Sequence, residues 1–125
     1  MFSNFIKYIE TRLAIIKYNL SDYKRYSNLL KIILETKSRT ILEIGVYKGL
    51  RSLEMIKAAK SFNNDVVFYG FDMFEKFFEK KKILQTELSK KPKSLIVIDN
   101  LLKEHADVKL IKGNTLNTLP KFSKK

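Results

Sequence analysis

Residues 40–49 read Thr-Ile-Leu-Glu-Ile-Gly-Val-Tyr-Lys-Gly, and this stretch decides the fold. Its apolar and β-branched residues up to Val46 are typical of a buried parallel strand. Gly45 and Gly49 indicate a turn at the end of that strand. Apolar residues then recur at helical intervals, at Leu50, Leu53, Ile56 and Ala59. The stretch and its sequel therefore predict a strand, a glycine turn and a helix in succession.

Two further strands follow along the chain. Residues 66–71 predict a second strand that ends at Asp72, and residues 108–111 predict a third that breaks at Gly113-Asn114. Between them, residues 73–87 are predicted to be irregular or helical, and Ser94 can cap a helix that runs to about His105.

Alternating strands and helices predict a parallel sheet with right-handed crossovers. We therefore expect the α/β class, specifically a Rossmann-like three-layer sandwich with a partial parallel sheet. Residues 39–125 would form this partial domain, and residues 1–38 an N-terminal helical segment.

The N-terminal segment predicts two amphipathic helices. Apolar residues recur at helical spacing in the first, at Phe5, Ile6, Ile9, Leu13, Ile16 and Leu20. Ser21-Asp22 then offers cap chemistry for a second helix that ends near Lys37-Ser38. These helices either form a lid or dimer surface or simply cover the sheet, and the second interpretation is favoured.

The composition narrows the class of protein. Of the 125 residues, 45% are hydrophobic, which indicates a globular domain, and none is cysteine. Disulfides, thiolate metal sites and thiol catalysis are therefore excluded, and a reducing cytoplasm is the expected location. The longest apolar run at the N-terminus, Leu13 to Ile16, is too short for a signal peptide or a membrane span, so no membrane partner is expected.

The net charge of +12 raises the question of nucleic-acid binding. Only four of the 25 basic residues are arginine. Arginine is the residue that most often contacts bases specifically and binds phosphates through two hydrogen bonds. A lysine excess alongside many Ile, Asn, Phe and Tyr residues is what an AT-rich coding sequence produces. Nucleic acid is therefore the disfavoured partner, and a basic nucleic-acid-binding module is kept as an alternative.

Candidate functional residues lie at the strand ends, where parallel sheets bind their ligands. Glu43 precedes the two turn glycines, and Asp72 places a carboxylate where it can accept hydrogen bonds from ribose hydroxyls. A nicotinamide-binding Gly-x-Gly-x-x-Gly turn starting at Gly45 would need glycine at Tyr47 and Leu50. A ligand without a pyrophosphate fits better, although a fragment of a nicotinamide-dependent enzyme remains an alternative.

Two motifs resemble those of a known enzyme class. Residues 43–49, E-I-G-V-Y-K-G, resemble the first motif of class I S-adenosylmethionine-dependent methyltransferases, and residues 69–75, Y-G-F-D-M-F-E, resemble the second. The pair is most similar to the macrocin O-methyltransferase family, also called the TylF-like family. The resemblance spans roughly residues 38–120. It implies that the three strands lie in the order 3-2-1 within the sheet.

This resemblance implies that S-adenosylmethionine is the cofactor. Glu43, Gly45 and Gly49 would surround its methionyl and ribose groups, in a turn that also contains Tyr47, and Asp72 would bind the ribose hydroxyls. Phe71 and Met73 would flank the adenine. Many relatives carry an acid near the adenine amine where this chain has Asn114, whose amide oxygen can still accept a hydrogen bond.

The family's fourth strand, with its metal-binding acids, has no counterpart in this sequence. We therefore expect a truncated, N-terminal half that binds the methyl donor and transfers no methyl group by itself, and we assign no catalytic or metal-binding residue. A divalent metal such as Mg²⁺ and a small-molecule acceptor belong to a full-length relative. The first strand would keep an open apolar edge through which the chain could self-associate.

Overall fold

The computed structural model describes residues 2–74 and 93–123. Over these ranges the elements run in the following order: α1 Phe2–Asn19, α2 Lys24–Thr36, β1 Thr40–Ile44, α3 Leu50–Lys60, β2 Val67–Asp72, α4 Leu95–Leu102, β3 Asp107–Lys112 and α5 Thr115–Ser123. The three predicted strands and the helices after the glycine turn and after Ser94 are all present. Most of the excursion predicted for residues 73–87 lies outside the described residues.

The strands form one parallel sheet with β2 between β1 and β3. This is the predicted 3-2-1 order. Ile44 on β1 and Ile111 on β3 both pair with Phe71 on β2, so the three strands finish at the same level. The backbone continues this alignment, because Gly45 N–H donates to the Phe71 carbonyl at 2.8 Å and Gly113 N–H donates to the Asp72 carbonyl at 3.0 Å.

Helices cover both faces of the sheet, as the Rossmann-like three-layer prediction requires. On one face, Phe68 of β2 is fully buried with Ile56 of α3 and with Ile98 and Leu102 of α4. On the other face, Phe122 of α5 packs edge-on against Tyr69 and Phe71, at centroid distances of 5.1 and 5.3 Å. The sheet is thereby held at a fixed position between two helical layers.

The N-terminal helices pack mainly against each other and against α3. The helical spacing predicted for α1 is confirmed, but the side chains that defined it face solvent: Leu13 is 61% exposed, whereas Ile15 is 3% exposed. The buried face of α1 also makes polar contacts with α3. Tyr18 donates to Glu54 at 2.5 Å, and Lys57 pairs with Glu10 at 2.6 Å.

Tyr18 stays a neutral donor in this contact. Its burial and its hydrogen bond to Glu54 raise the pKa of its hydroxyl from 10 to about 12, so the hydroxyl keeps its proton even at alkaline pH.

None of the helices in residues 2–74 and 93–123 combines the length and the apolar character that crossing a bilayer requires.

Candidate functional site

A cavity of about 750 Å³ opens where β1 and β2 end. Its size falls within the range of about 300–1,000 Å³ that is usual for small-molecule sites. Five of the seven predicted site residues line it: Glu43, Gly45, Tyr47, Gly49 and Asp72. The structure therefore brings together the first motif and the carboxylate of the second.

The glycine turn exposes backbone to this cavity. Gly45 has φ +85°, and a Cβ built there would meet nothing within 4 Å, so the space in front of it is open. Gly49 has φ +80°, and a Cβ there would lie 3.1 Å from side-chain atoms of Ile98 and Leu101. Gly49 also immediately precedes α3, so the first turn of that helix, including Leu50 and Arg51, lies at the cavity. Glycine is needed at Gly49 for both conformation and packing.

The Asp72 carboxylate points at this turn. Its Oδ2 accepts the Tyr47 N–H at 2.8 Å, and its Oδ1 accepts the N–H groups of Met73 at 2.6 Å and Phe74 at 3.4 Å. Tyr47 has φ +56°, a left-handed conformation that this hydrogen bond helps to hold. Each carboxylate oxygen can accept about two hydrogen bonds. Oδ2 therefore retains capacity for a hydroxyl group in the cavity.

Glu43 places a second carboxyl group beside the first. Burial raises its pKa to about 7, the charge of Asp72 adds to the rise, and a hydrogen bond from the Ser52 hydroxyl opposes it. A cation bound nearby would stabilise the ionised form of this carboxyl group and lower its pKa. The two carboxyl groups thus make the cavity suited to a ligand that carries hydroxyl groups and a positive charge.

A further part of the cavity lining comes from α2 and was missed by the sequence analysis. It includes Arg25, Tyr26 and Leu29 of the helix and Tyr23 just before it. Arg51 of α3 also lines the cavity, with its guanidinium 4.6 Å from the Tyr26 ring centroid. Nothing in the spacing connects residues 23–29 to the glycine turn some twenty positions later in the sequence. The only available signal was the mixed aromatic and basic character of residues 23–26, Tyr-Lys-Arg-Tyr. The second helix is a wall of the site and not merely a cover.

Two predicted residues, Met73 and Asn114, are not among those that line the cavity. Met73 is half-buried after β2, where its N–H is bound to Asp72. Asn114 is exposed, and its Oδ1 accepts the Leu116 N–H at 2.9 Å in the first turn of α5. This oxygen therefore already serves as a helix cap.

The single histidine of the sequence, His105, does not line this cavity. It lies in the turn after α4, near the start of β3, where burial and nearby lysines lower its pKa. Within residues 2–74 and 93–123, no group of three or more His, Cys, Asp or Glu side chains could hold a metal ion.

The chain was compared with family models, with curated proteins and with solved structures. No family model matches the sequence, and no curated protein matches it. Among solved structures, the chain is similar to the S-adenosylhomocysteine-bound methyltransferase PaMTH1 of Podospora anserina, with a TM-score of 0.46 and 18% sequence identity. The match covers 95% of this chain and 44% of PaMTH1, so the chain spans less than half the length of that protein.

Proposed function

We propose that the cavity binds S-adenosylmethionine and that the chain is the donor-binding part of a class I methyltransferase. The observation that carries the proposal is the position of Asp72. Asp72 is the last residue of β2, and its carboxylate accepts a hydrogen bond from the Tyr47 N–H in the glycine turn that follows β1. Both motifs therefore contribute to one cavity.

The residues present fit this ligand group by group. Asp72 Oδ2 can accept a ribose hydroxyl, and the open space before Gly45 admits the ligand close to the backbone. Glu43 lines the cavity and can stabilise a positive charge there. The donor carries such a charge on its sulfonium, which makes its methyl group electrophilic. The described residues thus bind and orient the donor.

The finer part of the proposal concerns the reaction. The similarity of residues 43–49 and 69–75 to the macrocin O-methyltransferase family supports methyl transfer to a hydroxyl group of a small molecule or sugar. The acceptor and any divalent metal would be held by parts that a full-length relative supplies.

Isothermal titration of residues 1–125 with S-adenosylhomocysteine tests donor binding. We expect saturable one-to-one binding that Asp72→Asn weakens about 10- to 100-fold, because a hydrogen bond to a charged group contributes about 1.5–3 kcal/mol. Asp65→Asn is the matched control: Asp65 is an exposed acid in the turn before β2, away from the cavity. It should leave the affinity unchanged.

Two parallel titrations separate the other classes of function. If NAD protects the chain against thermal unfolding and S-adenosylhomocysteine does not, the result would indicate a nicotinamide-dependent enzyme. Affinity for RNA that falls steeply with salt, in the absence of nucleoside binding, would indicate a basic nucleic-acid-binding module. Either result would contradict the proposal. Far-UV circular dichroism of Asp72→Asn is needed as well, because Asp72 also holds the turn.

A further inference from the structure

One side of α1 carries an apolar stripe that faces solvent. Its residues are between 41% and 86% exposed, and they are Phe2, Phe5, Ile6, Ile9, Leu13, Ile16 and Leu20. The helix packs against α2 and α3 through its other side, where Thr11, Ile15 and Tyr18 are buried. The apolar spacing of this helix therefore defines a surface, which we call the α1 stripe.

The α1 stripe is large for the surface of a monomer. The largest exposed apolar patch of a typical monomer covers about 300–600 Å². If a fully exposed large apolar residue presents about 200 Å², the exposures of these residues correspond to roughly 800 Å². One partner of a protein interface of standard size contributes a similar area, about 800 Å². The α1 stripe is therefore large enough to bind one protein partner.

The spacing within the α1 stripe favours another helix as that partner. Two series with a strict seven-residue spacing alternate along it, Phe2, Ile9, Ile16 and Ile6, Leu13, Leu20. Leu20 follows the last residue of α1 but keeps the helical register, because its N–H donates to the Ile16 carbonyl at 3.2 Å. The two series fill the a and d positions of a heptad repeat over residues 2–20, and such positions interlock with those of a facing helix.

The α1 stripe also matches a second copy of itself. In an antiparallel pair related by a twofold axis at the level of Thr11, each a position of one copy faces a d position of the other. The pairs formed between the two copies are Ile9 with Leu13, Ile6 with Ile16, and Phe2 with Leu20. All six heptad positions therefore meet an apolar residue of the partner.

The charges beside the α1 stripe favour the antiparallel orientation over a parallel one. Arg12 and Lys17 are exposed at the flanking g and e positions, and a parallel pair would bring them together on both flanks. The antiparallel pair places Lys17 opposite the uncharged Ser3, and only the two Arg12 side chains face each other across the axis. Glu10 also lies near the axis, but Lys57 of its own chain pairs with it at 2.6 Å.

We propose that the chain forms a dimer in which the α1 stripe pairs antiparallel with the α1 stripe of a second copy. This inference goes beyond donor binding and is independent of it, because no residue of the stripe lines the cavity. The net charge of +12 on each copy opposes association. We therefore expect a weak dimer with a Kd of about 10–100 µM at physiological salt, although interfaces of this area range to far tighter values. Unfolding measured at about 1 µM protein then reports the monomer.

Analytical ultracentrifugation of residues 1–125, from about 1 to about 500 µM, tests the dimer. The variant carries Ile9→Gln and Leu13→Gln, which make the centre of the α1 stripe polar without changing the net charge. The matched control carries Leu42→Gln and Ile44→Gln, the exposed apolar residues of the edge strand β1. We expect wild type and control to dimerise with Kd values within twofold, and the stripe variant to dimerise at least tenfold more weakly. All four residues are exposed, so both variants should keep the fold, which circular dichroism checks.

The orientation is tested with single cysteines, because the chain has none of its own. In the proposed dimer the two residues 12 lie beside the twofold axis, so Arg12→Cys should form a disulfide-linked dimer when oxidised with diamide. Residue 3 of one copy lies opposite residue 17 of the other, which separates the two residues 3 by about 20 Å along the helix. Ser3→Cys should therefore remain unlinked. Linkage of Ser3→Cys without linkage of Arg12→Cys would overturn the proposal.

Three further results would overturn the proposal as well. The first is a wild-type chain that stays monomeric at about 500 µM. The second is a dimer that the β1 variant loses and the stripe variant keeps, which would assign association to the open strand edge. The third is a monomer that binds vesicles containing phosphatidylserine through the α1 stripe. Salt separates this last case, because it weakens binding to an anionic membrane, whereas it should strengthen the dimer by screening the repulsion between two cationic copies.

Discussion

Replacing Glu43 with glutamine should make the protein more stable at neutral pH. Burial raises the pKa of this carboxyl group from 4.5 to about 7, so the folded chain binds the proton more tightly than the unfolded chain does. Wild type therefore loses stability as the pH rises from about 4.5 to about 7, and the loss is complete above that. It amounts to about 3 kcal/mol, because a tenfold change in proton affinity corresponds to about 1.4 kcal/mol.

Urea unfolding of wild type and Glu43→Gln at a series of pH values measures this effect. The free energy of unfolding of the variant, minus that of wild type, should increase by about 3 kcal/mol between pH 4.5 and pH 8. Glu10→Gln is a control of opposite sign, because the hydrogen bond to Lys57 lowers the pKa of Glu10. Ionised Glu10 stabilises the folded chain at neutral pH, and this stabilisation disappears as the pH falls through the lowered pKa of Glu10. If the difference in the free energy of unfolding between Glu43→Gln and wild type does not change with pH, the raised pKa of Glu43 is refuted.

Three further results follow from the same contacts. Ile15→Ala should lower the free energy of unfolding by about 2–5 kcal/mol and Leu13→Ala by less than about 0.5 kcal/mol, as measured by urea unfolding, because Ile15 is buried and Leu13 is exposed. Gly49→Ala should cost at least about 1–2 kcal/mol in the same assay, since φ is +80° and the added Cβ crowds α4. Affinity for S-adenosylmethionine, measured by calorimetry, should rise about eightfold from pH 6 to pH 7.5 in wild type as Glu43 ionises, and not in Glu43→Gln.

The local sequence pattern was sufficient to predict the sheet and the part of the site at the strand ends. The run from Ile41 to Gly49 and the carboxylate at Asp72 are short-range signals, and parallel pairing brings successive strand ends to one edge. The sequence analysis therefore predicted that both motifs would meet, and the hydrogen bond between Tyr47 and Asp72 agrees with that prediction.

The features that were missed depend on tertiary contacts. The face of α1 that is buried depends on its packing against α2 and α3, where Tyr18 and Glu10 find partners, and helical periodicity contains no information on that packing. The wall at Arg25 and Tyr26 depends on how α2 lies against α3. Helix α5 was not predicted because Pro120 stands inside it and its cap at Asn114 had been assigned to the ligand.

A crystal structure of the chain with S-adenosylhomocysteine tests the central claim most directly. The account predicts the ribose within hydrogen-bond distance of Asp72 Oδ2 and the nucleoside against the turn from Gly45 to Gly49. A ligand bound elsewhere, or one that leaves the Asp72 carboxylate without contact, would contradict it.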